Sequence, residues 1–161
     1  MTHMSCDWHA IGVWAGDNGR PRGPRSDGRP GFETEGRQKL RVMIVEDELF
    51  VAMHLESLLE DLGYEVTGIV SNGETAISEF RLQRPEIVLM DMNLGGGIDG
   101  LIAAQQIRAV NEVCVIFVTA YSDRQTLARI EAVLPGACVL SKPVTPGILQ
   151  MALEAQPQGP H

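Results

Sequence analysis

From Leu40 onward the sequence predicts an α/β fold: a doubly wound, five-stranded parallel sheet with helices on both faces. Short apolar runs alternate five times with segments of helical periodicity, the mark of successive βα units. The runs are apolar at consecutive positions, as strands buried on both faces must be. Several of them also end abruptly on a charged or hydroxylic residue. In a parallel sheet those endings share one edge.

The first strand, 40–46, carries Arg41-Val42-Met43-Ile44-Val45 and stops at Glu46-Asp47-Glu48. A helix over about 48–61 follows, with Leu49, Ala52, Met53, Leu59 and Leu62 at helical spacing, and Gly63 ends it. After the strand at 65–70, Ser71-Asn72-Gly73 opens a helix that carries Ala76, Ile77 and Phe80, and Pro85 keeps the chain from continuing helical. The strand 87–91 runs into Asp91. Gly95-Gly96-Gly97 then precedes a helix over about 99–109 with Leu101, Ala104 and Ile107 on one face. Strand 113–118 stops at Thr119. Ser122-Asp123-Arg124-Gln125 has capping-box spacing, which puts Ser122 at the start of a helix reaching about 133. Strand 138–141 ends before Lys142-Pro143, and a last helix over about 146–155 has Thr145 as cap and Pro146 in its first turn.

Residues 1–39 read differently. Their Gly, Pro and charge content offers nothing to bury, so a disordered leader is expected, with Trp8 and Trp14 as the exceptions that could dock on the body. Residues 156–161 read as a tail. The core 40–155 is one domain, and no attached output domain is expected. Seven of the 13 basic residues but only five of the 21 acidic ones lie within positions 1–41, so the acidic excess falls on the body and argues against nucleic acid as a partner. The three cysteines are scattered, with Cys114 and Cys138 in or beside apolar runs, and read as small buried residues in a reducing setting. No apolar stretch nears the roughly 18 residues that cross a bilayer. A cytoplasmic protein is therefore expected.

Taken singly, the polar endings are unremarkable in their chemistry. Glu46-Asp47-Glu48 alone is commonly a helix start, Thr119 alone a strand-end residue, and Lys142 alone a solvated charge. Asp91, a carboxylate at the mouth of a buried strand, changes their weight, because burying it without partners is costly. His54, on the first helix, reads as a surface or partly buried histidine. Tyr121 reads equally as a packed surface aromatic or as a gate at the cleft mouth.

The segments Val45-Glu46-Asp47-Glu48, Val88-Leu89-Met90-Asp91, Phe117-Val118-Thr119-Ala120 and Leu140-Ser141-Lys142-Pro143 together resemble the receiver domain of two-component response regulators, over about residues 40–155. The resemblance implies a flavodoxin-like (βα)5 fold and a phosphorylation switch in which Asp91 accepts a phosphoryl group from a histidine kinase or a histidine phosphotransfer protein. It implies Mg²⁺ held by Asp47 and Asp91, by Glu46 directly or through water, and by the backbone carbonyl of Asn93. Hard oxygen donors suit that ion, which also relieves repulsion among the acids. Lys142 would pair with Asp91 and later with a phosphoryl oxygen, Thr119 would donate its hydroxyl to another, and the Lys142–Pro143 bond would be cis. No turnover of an external substrate is implied. The downstream target would be read through residues 122–155, a face that also serves homodimers in similar domains.

Three features depart from that family, the mildest being Glu46 as the first acid, which leaves metal binding intact. Gly95-Gly96-Gly97 stands where many receivers carry a Met-Pro pair, and Val139 replaces the usual switch aromatic. One rival reading is a phosphohydrolase resembling the haloacid dehalogenase superfamily, disfavoured by Asn93 where a second Asp is expected. The other is a binding module of the same fold that works without phosphate.

Overall fold

The computed structural model describes residues 38–157. Strands and helices alternate in the order β1 (Arg41–Val45), α1 (Leu49–Asp61), β2 (Glu65–Val70), α2 (Gly73–Gln83), β3 (Ile87–Asp91), α3 (Gly100–Val110), β4 (Cys114–Thr119), α4 (Arg124–Val133), β5 (Cys138–Ser141) and α5 (Pro146–Glu154). The sheet is parallel throughout, with strand order β2-β1-β3-β4-β5. This is the flavodoxin-like doubly wound topology, whose strand order reverses at the β1/β3 boundary. The expected elements are all present. Their ends differ from expectation by about a residue at β1, α1, α3, β4, α4 and α5. The leader expected over 1–39, with Trp8 and Trp14, falls outside the described residues except for its last two positions. So does the tail after residue 157.

Side-chain alternation along the strands sorts the core into two layers. Val42, Ile44, Ile87, Leu89, Ile116, Val118 and Leu140 point toward α1 and α5, where Ala52, Leu55, Leu59, Leu149 and Leu153 meet them. Met43, Val45, Val88, Met90, Val115 and Phe117 face α2, α3 and α4, meeting Phe80, Leu101, Ile107 and Ile130. β3 lies between β1 and β4, and all five of its residues are buried.

The stripe expected on α1 is corrected by the structure. Ala52 and Leu59 are buried as expected, but Leu49 and Met53 are exposed, and Leu55 and Leu58 take the core positions instead. Leucine and other apolar residues surround this helix, so spacing alone does not select the inward face. Helix starts are capped by Asn72, Asp99, Asp123 and Thr145, which accept from Thr75, Ile102, Thr126 and Ile148 N–H. Each such cap contributes about 1 kcal/mol. Asp123, and not Ser122, therefore caps α4. The helix begins at Arg124, and the Asp123 carboxylate accepts from both the N–H and the hydroxyl of Thr126. Cys138 is buried, whereas Cys114 is only partly so, and its thiol lies 2.9 Å from Gln156 Oε1. Burial pushes the Cys114 thiol up to about 12. Among the described residues no helix is long and apolar enough to cross a membrane.

Candidate functional site

The C-terminal ends of β1 and β3 meet where the strand order reverses, and the acids stand there. Glu46 prolongs β1 by donating its N–H to the Val70 carbonyl at 2.9 Å. Its Oε1 accepts from Glu48 N–H at 3.1 Å, and Glu48, the residue preceding α1, makes no side-chain capping bond. The acidic triplet is thus not used up in starting the helix. Asp91 is the last residue of β3, in register with Val118 of β4, and is 4% exposed. Its Oδ1 accepts from Asn93 N–H at 3.1 Å. Exposed Asp47 accepts from Gly95 N–H at 3.0 Å. One carboxylate oxygen from each of Glu46, Asp47 and Asp91 lies within 4.8 Å of the others.

Lys142 closes the cluster from the far side. Its backbone N–H donates to the Thr119 carbonyl at 2.9 Å, continuing the β4–β5 ladder. The side chain then reaches over the ends of β4 and β3. Nζ stands 3.3 Å from Asp91 Oδ2 and 2.8 Å from Glu46 Oε2. The Glu46 contact is an ion pair, and the buried Oε2 makes no further hydrogen bond. The Lys142–Pro143 peptide is cis.

Burial is the main force on Asp91 and raises its pKa. The Glu46 carboxylate adds to this, the Asn93 N–H and Lys142 oppose it, and the balance is about 6. Burial works against the charge on Lys142 as well, but its pairing with Glu46 and Asp91 outweighs this and holds its pKa above the usual lysine range. Two negative groups and one positive group therefore share a nearly dry corner. Such a corner has room for more positive charge.

The other expected site residues are placed as follows. Thr119 is fully buried at the end of β4, and its hydroxyl accepts from Tyr121 N–H at 3.0 Å and faces the Tyr121 carbonyl at 3.3 Å. It is thus engaged with the following loop, not with Asp91. Tyr121 itself is 63% exposed. Asn93 touches the cluster through its N–H. Val139 is partly buried against the α2–α4 layer. His54 is exposed, with Nε2 3.1 Å from the Val144 carbonyl. A cavity of about 370 Å³ flanks the acids, walled by Glu46, Asp47, Leu49, Ala52 and residues 69–72 and 75, and does not include Asp91, Thr119 or Lys142.

Two contacts leave no signal in the sequence. The Lys142–Glu46 pair joins residues almost a hundred positions apart across two intervening strands, and only the strand order reveals it. The Gly95–Asp47 bond uses a backbone amide, which no side-chain motif advertises.

The sequence matches the response regulator receiver domain family over residues 42–154. It is 32% identical to the chemotaxis protein CheY of Thermotoga maritima, over 70% of this chain and 93% of CheY. It is 37% identical to the phyllosphere-induced regulator PhyR of Methylorubrum extorquens, over 58% of this chain but only 36% of PhyR. The chain thus spans about a third of that regulator's length. The crystal structure of the signal receiver domain of a modulated diguanylate cyclase from Desulfovibrio desulfuricans G20 superposes with a TM-score of 0.67 at 37% identity, covering 73% of this chain and 92% of that one.

Proposed function

The chain belongs to the response regulator receiver domain family, and on that footing we propose that it is a signalling switch that accepts a phosphoryl group on Asp91 from a phosphohistidine donor. The observation that carries the reading is the meeting of Asp91, Glu46, Asp47 and Lys142 at the one rim of the sheet where the topology opens a cleft. An Asp91 carboxylate oxygen attacks phosphorus, the phosphorus–nitrogen bond to the donor imidazole breaks, and an acyl phosphate results. The donor would be a histidine kinase or a histidine phosphotransfer protein. Receiver domains are in general not enzymes, and the chain would catalyse no more than its own phosphorylation and dephosphorylation.

The donor set fits Mg²⁺, because three carboxylates offer hard oxygens in one small volume and the buried Glu46 Oε2 makes no hydrogen bond beyond its ion pair. Glu46, Asp47, Asp91 and the Asn93 carbonyl would hold the ion, which supplies neutralising charge for the phosphoryl oxygens. Lys142 would exchange its carboxylate partners for a phosphoryl oxygen. Thr119 would turn its hydroxyl from the Tyr121 carbonyl to another, pulling on the loop that leads into α4. Val139 leaves no ring to rotate behind the threonine, so residues 122–155 would report the state through α4 itself, to a protein target or a second copy. The cavity lies beside the acids and not around Asp91, which suits a protein donor better than an enclosed phosphate ester.

Intact mass after exposure to acetyl phosphate and Mg²⁺ tests the proposal. One added phosphoryl group is expected. No gain would favour a module of the same fold that binds partners without phosphate, and steady release of phosphate from monoesters would favour the hydrolase.

Mg²⁺ binding should also depend on pH. With Asp91 raised to about 6, a proton competes for a ligand oxygen below that pH, and affinity should fall about tenfold per pH unit there. Above it, affinity should level off. Amide-shift titrations at pH 5, 6 and 7.5 check this, and equal affinities at all three would contradict it.

A further inference from the structure

The segment Gly95–Ile98 is held at both ends by carboxylates that belong to other elements. At one end Gly95 N–H donates to Asp47 Oδ2 at 3.0 Å. At the other, Ile98 N–H donates to Glu74 Oε1 at 3.1 Å, and Glu74 lies in the first turn of α2. Between them Gly96 and Gly97 adopt left-handed φ values of 71° and 79°, a conformation that side chains resist. The backbone at Gly97 lies directly against the Glu74 carboxylate, where a Cβ would overlap it. The start of α2 abuts the same segment, since a Cβ on Gly73 would come within 2.6 Å of Ile98 Cγ1.

Asp47 is the exposed member of the acid cluster. An exposed carboxylate loses rotamer freedom when it binds a cation, and a hydrogen bond that holds it beforehand lowers that cost. The Gly95 amide supplies such a bond only while the loop keeps its shape. Glycines do not keep a shape unaided, and the hold on Ile98 restrains this one next to its two left-handed residues, beside the Gly100–Met92 bond that closes the loop.

We propose that Glu74 is a positioning residue of the acid cluster: by accepting from Ile98 it keeps the Gly95 amide on Asp47 and so pre-orients Asp47 for Mg²⁺. The inference rests on the site reading above. Glu74 acts as a hydrogen-bond acceptor and not as a remote negative charge, so Gln should replace it and Ala should not.

Mg²⁺ titrations of the full chain, followed by the amide shifts of Asp47 and Gly95, provide the test. Glu74→Ala should weaken Mg²⁺ binding about tenfold and Glu74→Gln by no more than about twofold, as for residues that orient a metal ligand without touching the metal. In metal-free protein, Glu74→Ala should also move the Gly95 amide away from its hydrogen-bonded shift, and Glu74→Gln should leave it in place. Wild-type affinity in Glu74→Ala, or equal weakening in both variants, would overturn the inference while leaving the site intact. A wild-type chain whose shifts at Glu46, Asp47 and Asp91 ignore Mg²⁺ would overturn the site reading, and this inference with it.

Discussion

Asp91→Asn is expected to abolish phosphoryl incorporation: its intact mass should stay at the unmodified value under conditions that label the wild-type chain. The amide matches the carboxylate in shape but has no anionic oxygen to form an acyl phosphate, so the loss should be complete. The same substitution should change stability in a pH-dependent way. Burial and the Glu46 carboxylate raise Asp91 to about 6, against an ordinary 3.8. A carboxyl whose folded pKa exceeds its unfolded value binds its proton more tightly in the native state, so protonation favours folding. That contribution is fully present below about pH 4 and is lost as pH rises through about 6. At neutral pH the ionised group should cost on the order of 1–3 kcal/mol. Asn carries no such cost. In Mg²⁺-free buffer the urea midpoint of Asp91→Asn should exceed that of the wild type at pH 7.5 and lie close to it at pH 4. A variant that still gained a phosphoryl group would place the acceptor elsewhere in the chain.

Gly100→Ala should produce the largest loss of stability among changes of a single methyl group. Gly100 opens α3, is buried, and donates its N–H to the Met92 carbonyl at 3.1 Å. A Cβ there would run into the carbonyl oxygen of Asp91 and lie 3.1 Å from Met92 Cα. Alanine gains about 1 kcal/mol over glycine in helix propensity. That gain loses to the overlap, because both colliding groups are backbone and α3 must move as a unit. A net loss of about 2–3 kcal/mol is expected, at the upper end for overpacking. Moving the Asp91 carbonyl also displaces the acceptor, so the variant should take up phosphate more slowly even at temperatures where it is fully folded. Denaturant midpoints and labelling rates measured together check both effects. A midpoint at or above the wild-type value would show that the start of α3 yields more easily than its packing indicates.

The sheet was legible because β1, β3 and β4 are unbroken apolar runs, and only burial on both faces accounts for such runs. Asp91 is legible because it ends such a run, whereas Lys142 gains its weight only beside Asp91. Less could be read from α1, where apolar residues on several sides blurred its inward face and hid the exposure of Leu49 and Met53. The cap of α4 is Asp123, one residue past the expected Ser122, since both have the right chemistry and only the backbone decides between them. The Lys142–Glu46 pair and the grip of Gly95 on Asp47 depend on strand order and on a main-chain donor. Neither leaves a pattern in residue types.

The ten elements are not equally anchored. β3, which carries Asp91, is buried along its whole length with a strand on either side, whereas α4 commits one fully buried side chain, Ile130. Partial unfolding should therefore begin at α4 and reach the acceptor strand last, so that α4 amides exchange with solvent well before those of β3. The helix that costs least to displace lies directly after the loop that Thr119 holds, and a small free-energy input at the rim can be spent there without loosening the strand that received it.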